Sequence, residues 1–195
     1  MGSRNEIDTL GSRSGGYPTE LSCDVQTRDG ARLHLRPIRP GDASRLTEFH
    51  ARLSPLSVYR RFFFMHPRLS DAEIEHFTHV DYRDRLALVV TDGGRLVAVG
   101  RYDRIPGTYE AEVAFVVADA LQHHGIGPLL LEHLARAAVK NGITTFVAQT
   151  LAENHDMLDV FIGSGFPVTT STEYGTVSLR FPIRHDDAMA APVHG

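Results

Sequence analysis

The chain has 195 residues, 42% hydrophobic and 23% charged, with a formal net charge of −4. That length gives a single domain enough chain for a real core, and the acidic balance argues against a general nucleic-acid surface. One cysteine, Cys23, excludes a disulfide framework, and the eleven histidines are scattered without zinc spacing, so no metal is expected. No apolar run approaches the ~18 residues of a membrane span, and the N-terminus lacks a hydrophobic signal core. Met1-Gly2 opens like a myristoylation signal, but Glu6 stands where Ser or Thr is required. A cytoplasmic protein with no membrane partner is expected.

Residues 1–22 show no period, are rich in Gly, Ser and Arg, and read as a flexible arm. The folded domain is expected over 23–184, with a frayed tail at 185–195. Arg32 to Arg39 alternates, with Leu33, Leu35 and Pro37 on one side, and predicts a strand. Asp42 can cap a helix with apolar positions Leu46, Phe49 and Leu53. Ser54-Pro55 opens a second helix running through Arg60, Arg61 and Phe62 to Phe64. Ser70 and Glu73 form a capping box for a third. Strands follow at Leu86 to Val90 and Leu96 to Arg101, joined by the turn Asp92-Gly93-Gly94. Further on, a strand at Thr144 to Thr150 precedes a helix capped by Asn154 and ended by Gly165, and two strands near 168–172 and 176–181 close the domain.

Between these lies the stretch from Glu110 to Gly127. Val113 to Val117 is a short apolar run of strand length. A loop with Gly125 and Gly127 follows, and Pro128 suits the first position of a helix running Leu129 to Lys140. A strand, a glycine-containing loop and a helix N-terminus together make an anion site, because free amides and the positive end of the helix dipole point at the loop. A dinucleotide fingerprint would need a third glycine where Leu130 stands and an acidic residue near Ala148-Gln149-Thr150. A P-loop would need Gly-Lys-Ser/Thr, which is absent. An ordinary strand-to-helix turn remains the bland alternative.

The loop Gln122-His123-His124-Gly125-Ile126-Gly127 resembles the acyl-CoA pyrophosphate loop, Gln/Arg-x-x-Gly-x-Gly, of the GNAT superfamily of N-acetyltransferases. Asn154-x-x-Met157-x-x-x-Phe161-x-x-x-Gly165-Phe166 resembles a second block of that family. The resemblance covers roughly residues 31 to 183. It implies an α/β fold: a mixed central sheet of about six to seven strands, flanked by four to five helices, with splayed central strands. Three further stretches make a narrower likeness: Leu53-Ser54-Pro55-x-Ser57-x-Tyr59-x-Arg61-Phe62-Phe63, Ala111 to Val117, and Leu151-Ala152-Glu153-Asn154. They resemble the catalytic domain of bacterial protein-lysine acetyltransferases that modify acyl-CoA synthetases. Such proteins usually carry a fused cyclic-nucleotide-binding or synthetase-like region, for which this sequence has no room.

The resemblance implies acetyl-CoA as cosubstrate and a lysine-bearing protein, an acyl-CoA synthetase, as acceptor. Glu112 would be the general base; Glu110, on the same strand face, is the alternative. Backbone amides of Phe115, Val116 and Val117 would face the thioester oxygen. Gln122 and the amides of His123, His124, Gly125, Ile126 and Gly127 would hold the pyrophosphate, and Asn154 the pantetheine arm. Phe161 lies at the cofactor where many members carry a tyrosine that protonates the departing thiolate, which phenylalanine cannot do; Tyr59, Tyr82 and Tyr174 are conceivable substitutes. Tyr59 and Arg61 would border the acceptor cleft. At 123 and 124 the family usually has lysine, arginine or glycine, and a histidine beside bound phosphates is favoured in its charged form. The other readings are acetylation of a small amine or amino sugar, and a non-catalytic acyl-CoA-binding module, whose signature would be a lost base.

Overall fold

The structure, a computed structural model, describes residues 16–183. Two strands open the domain, β1 (Cys23–Gln26) and β2 (Arg32–Pro37), then three helices, α1 (Ala43–Ala51), α2 (Pro55–Phe62) and α3 (Asp71–Thr78). β3 (Arg85–Asp92), β4 (Arg95–Arg104) and β5 (Glu110–Val117) form an antiparallel run, followed by α4 (Ile126–Lys140), β6 (Thr145–Leu151) and α5 (His155–Ile162). β7 (Thr169–Glu173) and β8 (Thr176–Pro182) complete one sheet of order β1-β2-β3-β4-β5-β6-β8-β7. Neighbours are antiparallel throughout except β5 and β6, which run parallel.

The architecture is the expected α/β one, with eight strands among the described residues where six to seven were predicted. The extra strand is β1. Its sequence, Cys-Asp-Val-Gln, offers no apolar run, only a weak alternation of half-buried and exposed positions. It exists because β2 offers an edge, with Cys23 opposite Leu35 and Val25 opposite Leu33. Just before it, within the expected flexible arm, Tyr17 is anchored. Its hydroxyl donates to the Pro37 carbonyl at 3.0 Å and its ring meets Tyr82 edge-on at 5.7 Å. The expectations for residues 1–15 and 185–195 lie outside the described residues.

Two cores cover the two faces of the sheet. On β3, Leu86, Leu88 and Val90 point into a core with Leu130, Leu134 and Phe161 from α4 and α5. Ala87 and Val89 point the other way, to Leu46, Phe49 and Val58 of α1 and α2. Burial on both sides is why this strand reads as a continuous apolar run rather than an alternation. Leaving a buried leucine of this kind as alanine costs roughly 2–5 kcal/mol.

Helix ends follow their local chemistry, with three corrections. Ser54 caps α2 through the Ser57 amide, and Ser70 and Glu73 form the capping box of α3. However, α2 stops at Phe62 rather than running to Phe64, because Phe63 adopts φ 64° while its amide closes on Tyr59 O at 2.7 Å. Asp42 stands at the head of α1 but does not cap it; its carboxylate forks Arg36 with two 2.7 Å bonds. α4 begins at Ile126, so Pro128 is its third residue, still within the first turn, where the missing amide has no helical partner to lose.

Candidate active site

The parallel pair at the centre of the sheet is short. β5 and β6 are in register only at Glu110–Thr145, Ala111–Phe146 and Glu112–Val147. Beyond Glu112 the strands part, β6 staying with β8 and β5 with β4. The Ala118 amide donates to Val97 O, so the alternation of an antiparallel ladder turns the amides of Ala114 and Val116 toward β4. Val113, Phe115 and Val117 therefore present their backbone groups to the gap. A buried strand edge of this kind needs a partner.

A cleft of about 290 Å³ opens at the parted edge. β5 contributes Phe115, Val116 and Val117; the following loop contributes Gln122, His123, Gly125 and the start of α4; Asn154, Met157 and Val160 close the far side. Gly125 has φ 87°, a left-handed conformation that glycine adopts without strain. Gly127 serves packing: a Cβ there would sit 3.2 Å from Val160 Cγ2 and 3.4 Å from Phe115 Cε2. α4 can thus approach α5 and β5 closely, and its first residues, Ile126, Gly127 and Pro128, line the cleft.

A polar strut fixes the loop to α2. Asp119 accepts from the Ser54 amide at 2.9 Å, and from the hydroxyls of Ser54 and Ser57. Burial alone would raise the Asp119 carboxyl, but these bonds outweigh it and hold it below the usual range. Gln122 belongs to the same strut, its Nε2 donating to Ser57 Oγ at 3.1 Å and Val117 O at 3.2 Å. The Gln122 side chain, expected on a phosphate, thus spends its donor on the protein. The Ser54-Pro55-x-Ser57 sequence carried this signal as a cap; its partner 65 residues away was invisible.

Other expected residues divide. Asn154 lines the cleft, 4% exposed, and caps α5 through the Met157 amide at 3.4 Å. His123 lines it at φ 66°, with Nδ1 3.7 Å from Asp156. His124 does not; its ring turns to Asp29, Nδ1 to Oδ2 at 3.1 Å. Phe161 does not either. It is 1% exposed and packed between the rings of Phe115 and Phe181, because its helix position faces the sheet. Tyr59 is half-buried on α2 and outside the cleft. Tyr82 donates to Ile38 O, and Tyr174 sits exposed in the β7–β8 turn, so neither is at the site.

Arg61 and Glu112 occupy the α1–α3 side of the gap. Arg61 lines the cleft and an adjoining apolar cavity of about 50 Å³ that also includes Arg101, Ala114 and Val116. Burial, then Arg101, pushes the Arg61 guanidinium down to about 9, against the pull of Glu112 and Asp103. It stays cationic at neutral pH, stacked 5.1 Å over Phe62, with no hydrogen bond to protein among the described residues. Glu112 is exposed, opposite Asp103 on β4, and close enough for its charge to favour both arginines. It lies at the last paired residue of β5, beside the cleft rather than in its lining. Glu110, the alternative, is forked by Arg180, whose hydrogen bond holds its carboxyl below the usual range.

A sheet parted at its centre, with an anion loop at the mouth of the gap, defines the acyl-CoA-dependent N-acyltransferase class of fold. The chain belongs to the acetyltransferase (GNAT) family, whose profile matches residues 54–166. It is similar to the GNAT domain of S. lividans PAT, at 42% identity and TM-score 0.81, over 85% of this chain and 99% of that one. Acetyltransferase Pat of Mycolicibacterium smegmatis is 36% identical over 68% of this chain, which spans only 40% of that protein's length. Acetyltransferase PA5475 of Pseudomonas aeruginosa is 31% identical over 71% of this chain and 76% of its own.

Proposed function

We propose that the chain transfers an acetyl group from acetyl-CoA to a protein lysine, with Glu112 as the general base. The observation that carries this is the position of Glu112, an exposed carboxylate without a hydrogen bond to protein among the described residues, at the point where β5 and β6 separate. The likeness to the GNAT domain of S. lividans PAT supports a protein acceptor, and an acyl-CoA synthetase of the cytosol is the acceptor the sequence resemblance suggests.

The residues fit acetyl-CoA. The free edge of β5 suits the extended, amide-bearing pantetheine arm, which would lie along it as an added strand. The Asn154 Nδ2 makes no bond to protein among the described residues and can donate to a pantetheine carbonyl. The N-terminus of α4, at the cleft, would take the pyrophosphate on its free amides. When bound, acetyl-CoA supplies an activated thioester.

A lysine amine has a pKa of about 10.4, so about one in a thousand is neutral near pH 7.4. Glu112 takes the ammonium proton and so delivers the nucleophile, an effect of about 10²- to 10⁴-fold. One inward amide of β5, that of Phe115 or of Val117, donates to the carbonyl oxygen as it gains charge, the two being about 6.8 Å apart along the strand and unable to share one oxygen. No tyrosine lines the cleft, so protonation of the thiolate falls to solvent. Arg61, cationic at the join of the two cavities, orients the acceptor rather than the thioester.

The test is mass spectrometry of a cytosolic lysate after incubation with labelled acetyl-CoA. New acetyl-lysines are the expected result. Turnover of polyamines or amino sugars with none on protein would reassign the acceptor.

A further inference from the structure

The anion loop carries no lysine or arginine of its own between Gln122 and Gly127. Backbone amides at a helix N-terminus offer roughly half a unit of positive charge, less than a diphosphate carries. The turn between β1 and β2, a part of the fold the sequence did not reveal, lies against this loop. Its Arg28 amide donates to His124 O at 3.0 Å, and Asp29 holds the His124 ring. The Arg28 side chain runs across Gly125, where a Cβ would come within 3.1 Å of its Cγ, and it lines the cleft. The other cations there are engaged differently. Arg60 pairs with Asp156 at 3.4 Å, and Arg61 sits at the acceptor end. Arg28 has no carboxylate partner among the described residues, because neighbouring Asp29 is taken by Thr27 and His124.

We propose that Arg28 is the side-chain cation for the pyrophosphate of acetyl-CoA, carried to the anion loop by the β1–β2 turn. The proposal rests on the acetyl-CoA reading of the cleft. The turn supplies from outside the family-matched segment, which begins at residue 54, the charge that the loop lacks. Gly125 is then required twice, for its positive φ and for the room the Arg28 stem occupies. The assignment is to the pyrophosphate rather than the 3′-phosphate because the stem crosses the N-cap of α4, where the helix amides converge.

Calorimetric titration of the full chain with CoA, dephospho-CoA and pantetheine tests it, on wild type, Arg28→Gln and Arg28→Lys. Arg28→Gln should weaken CoA and dephospho-CoA alike by about 10-fold, and Arg28→Lys by less. The loss should shrink in about 1 M salt, since the side chain is exposed. Pantetheine, which has no phosphate, should bind all three proteins equally; a loss there too would mean that the turn merely supports the fold and would overturn the proposal. A loss confined to CoA would move Arg28 to the 3′-phosphate and refute the assignment. Equal affinities for CoA in wild type and Arg28→Gln would also refute it. Wild type failing to bind CoA would instead defeat the acetyl-CoA reading itself.

Discussion

Removing the Asp42 carboxylate should destabilise the domain severely. Asp42 is fully buried and accepts two 2.7 Å bonds from Arg36, whose side chain is 12% exposed, and one of 3.1 Å from the Arg39 amide. Asp42→Ala leaves the Arg36 guanidinium buried and unpaired and frees the Arg39 amide. The expected loss is about 3–5 kcal/mol, a large share of the roughly 5–15 kcal/mol that holds such a domain together. Burial would raise the Asp42 carboxyl, but the Arg36 fork outweighs burial and holds it below its ordinary value. A depressed carboxyl contributes stability that is fully present above its unfolded value, about 3.9, and is lost as pH falls through the lower folded value. Urea unfolding at pH 7 and at stepped pH below about 5 reads both effects. Asp42→Ala should shift the midpoint strongly at pH 7 and should flatten the acid limb of the stability curve. A variant within about 0.5 kcal/mol of wild type, or with an unchanged acid limb, would refute the assignment.

The two loop histidines should separate. His123 lines the cleft and His124 is turned to Asp29, so His123→Gln should weaken acetyl-CoA binding by about 3-fold and His124→Gln should leave it nearly unchanged. Calorimetry decides it, and equal affinities in all three proteins would rule out a role for His123. Arg61→Ala should raise the KM for the protein acceptor by about 10-fold and leave the acetyl-CoA Kd within about threefold, as steady-state kinetics and calorimetry would show. An unchanged KM would return Arg61 to a purely structural role.

The sequence located the centre of this fold because β5 and the anion loop are local signals. An apolar run, two glycines and a proline sit within a few residues of one another. The capping chemistry of Ser54, Ser70 and Asn154 was legible for the same reason. Features made by pairing one segment with another, whether near or far along the chain, were not legible. β1 owes its strand form to β2, and Asp42, which looked like a cap, was claimed by Arg36 across a corner. The Gln122 donor went to Ser57, and Phe161 followed its helix face into the core rather than the motif position at a cofactor. Arg28 had no motif at all; a basic residue in a short turn became relevant only when the turn was seen to lie on the loop.

In the proposed mechanism a carboxylate at the parting of β5 and β6 makes the acceptor amine nucleophilic. The most direct measurement is the initial rate of labelled acetyl transfer to lysate protein, from about pH 6 to about pH 9, for wild type, Glu112→Gln and Glu110→Gln. Glu112→Gln keeps the shape and removes the base, so its rate should fall by about 10²-fold or more near neutrality and recover partly at high pH, as the amine loses its own proton. Glu110→Gln, which only breaks the fork with Arg180, should stay within a few-fold of wild type. A Glu112→Gln protein with the wild-type rate and pH profile would contradict a base role for Glu112, and a loss confined to Glu110→Gln would move the base there.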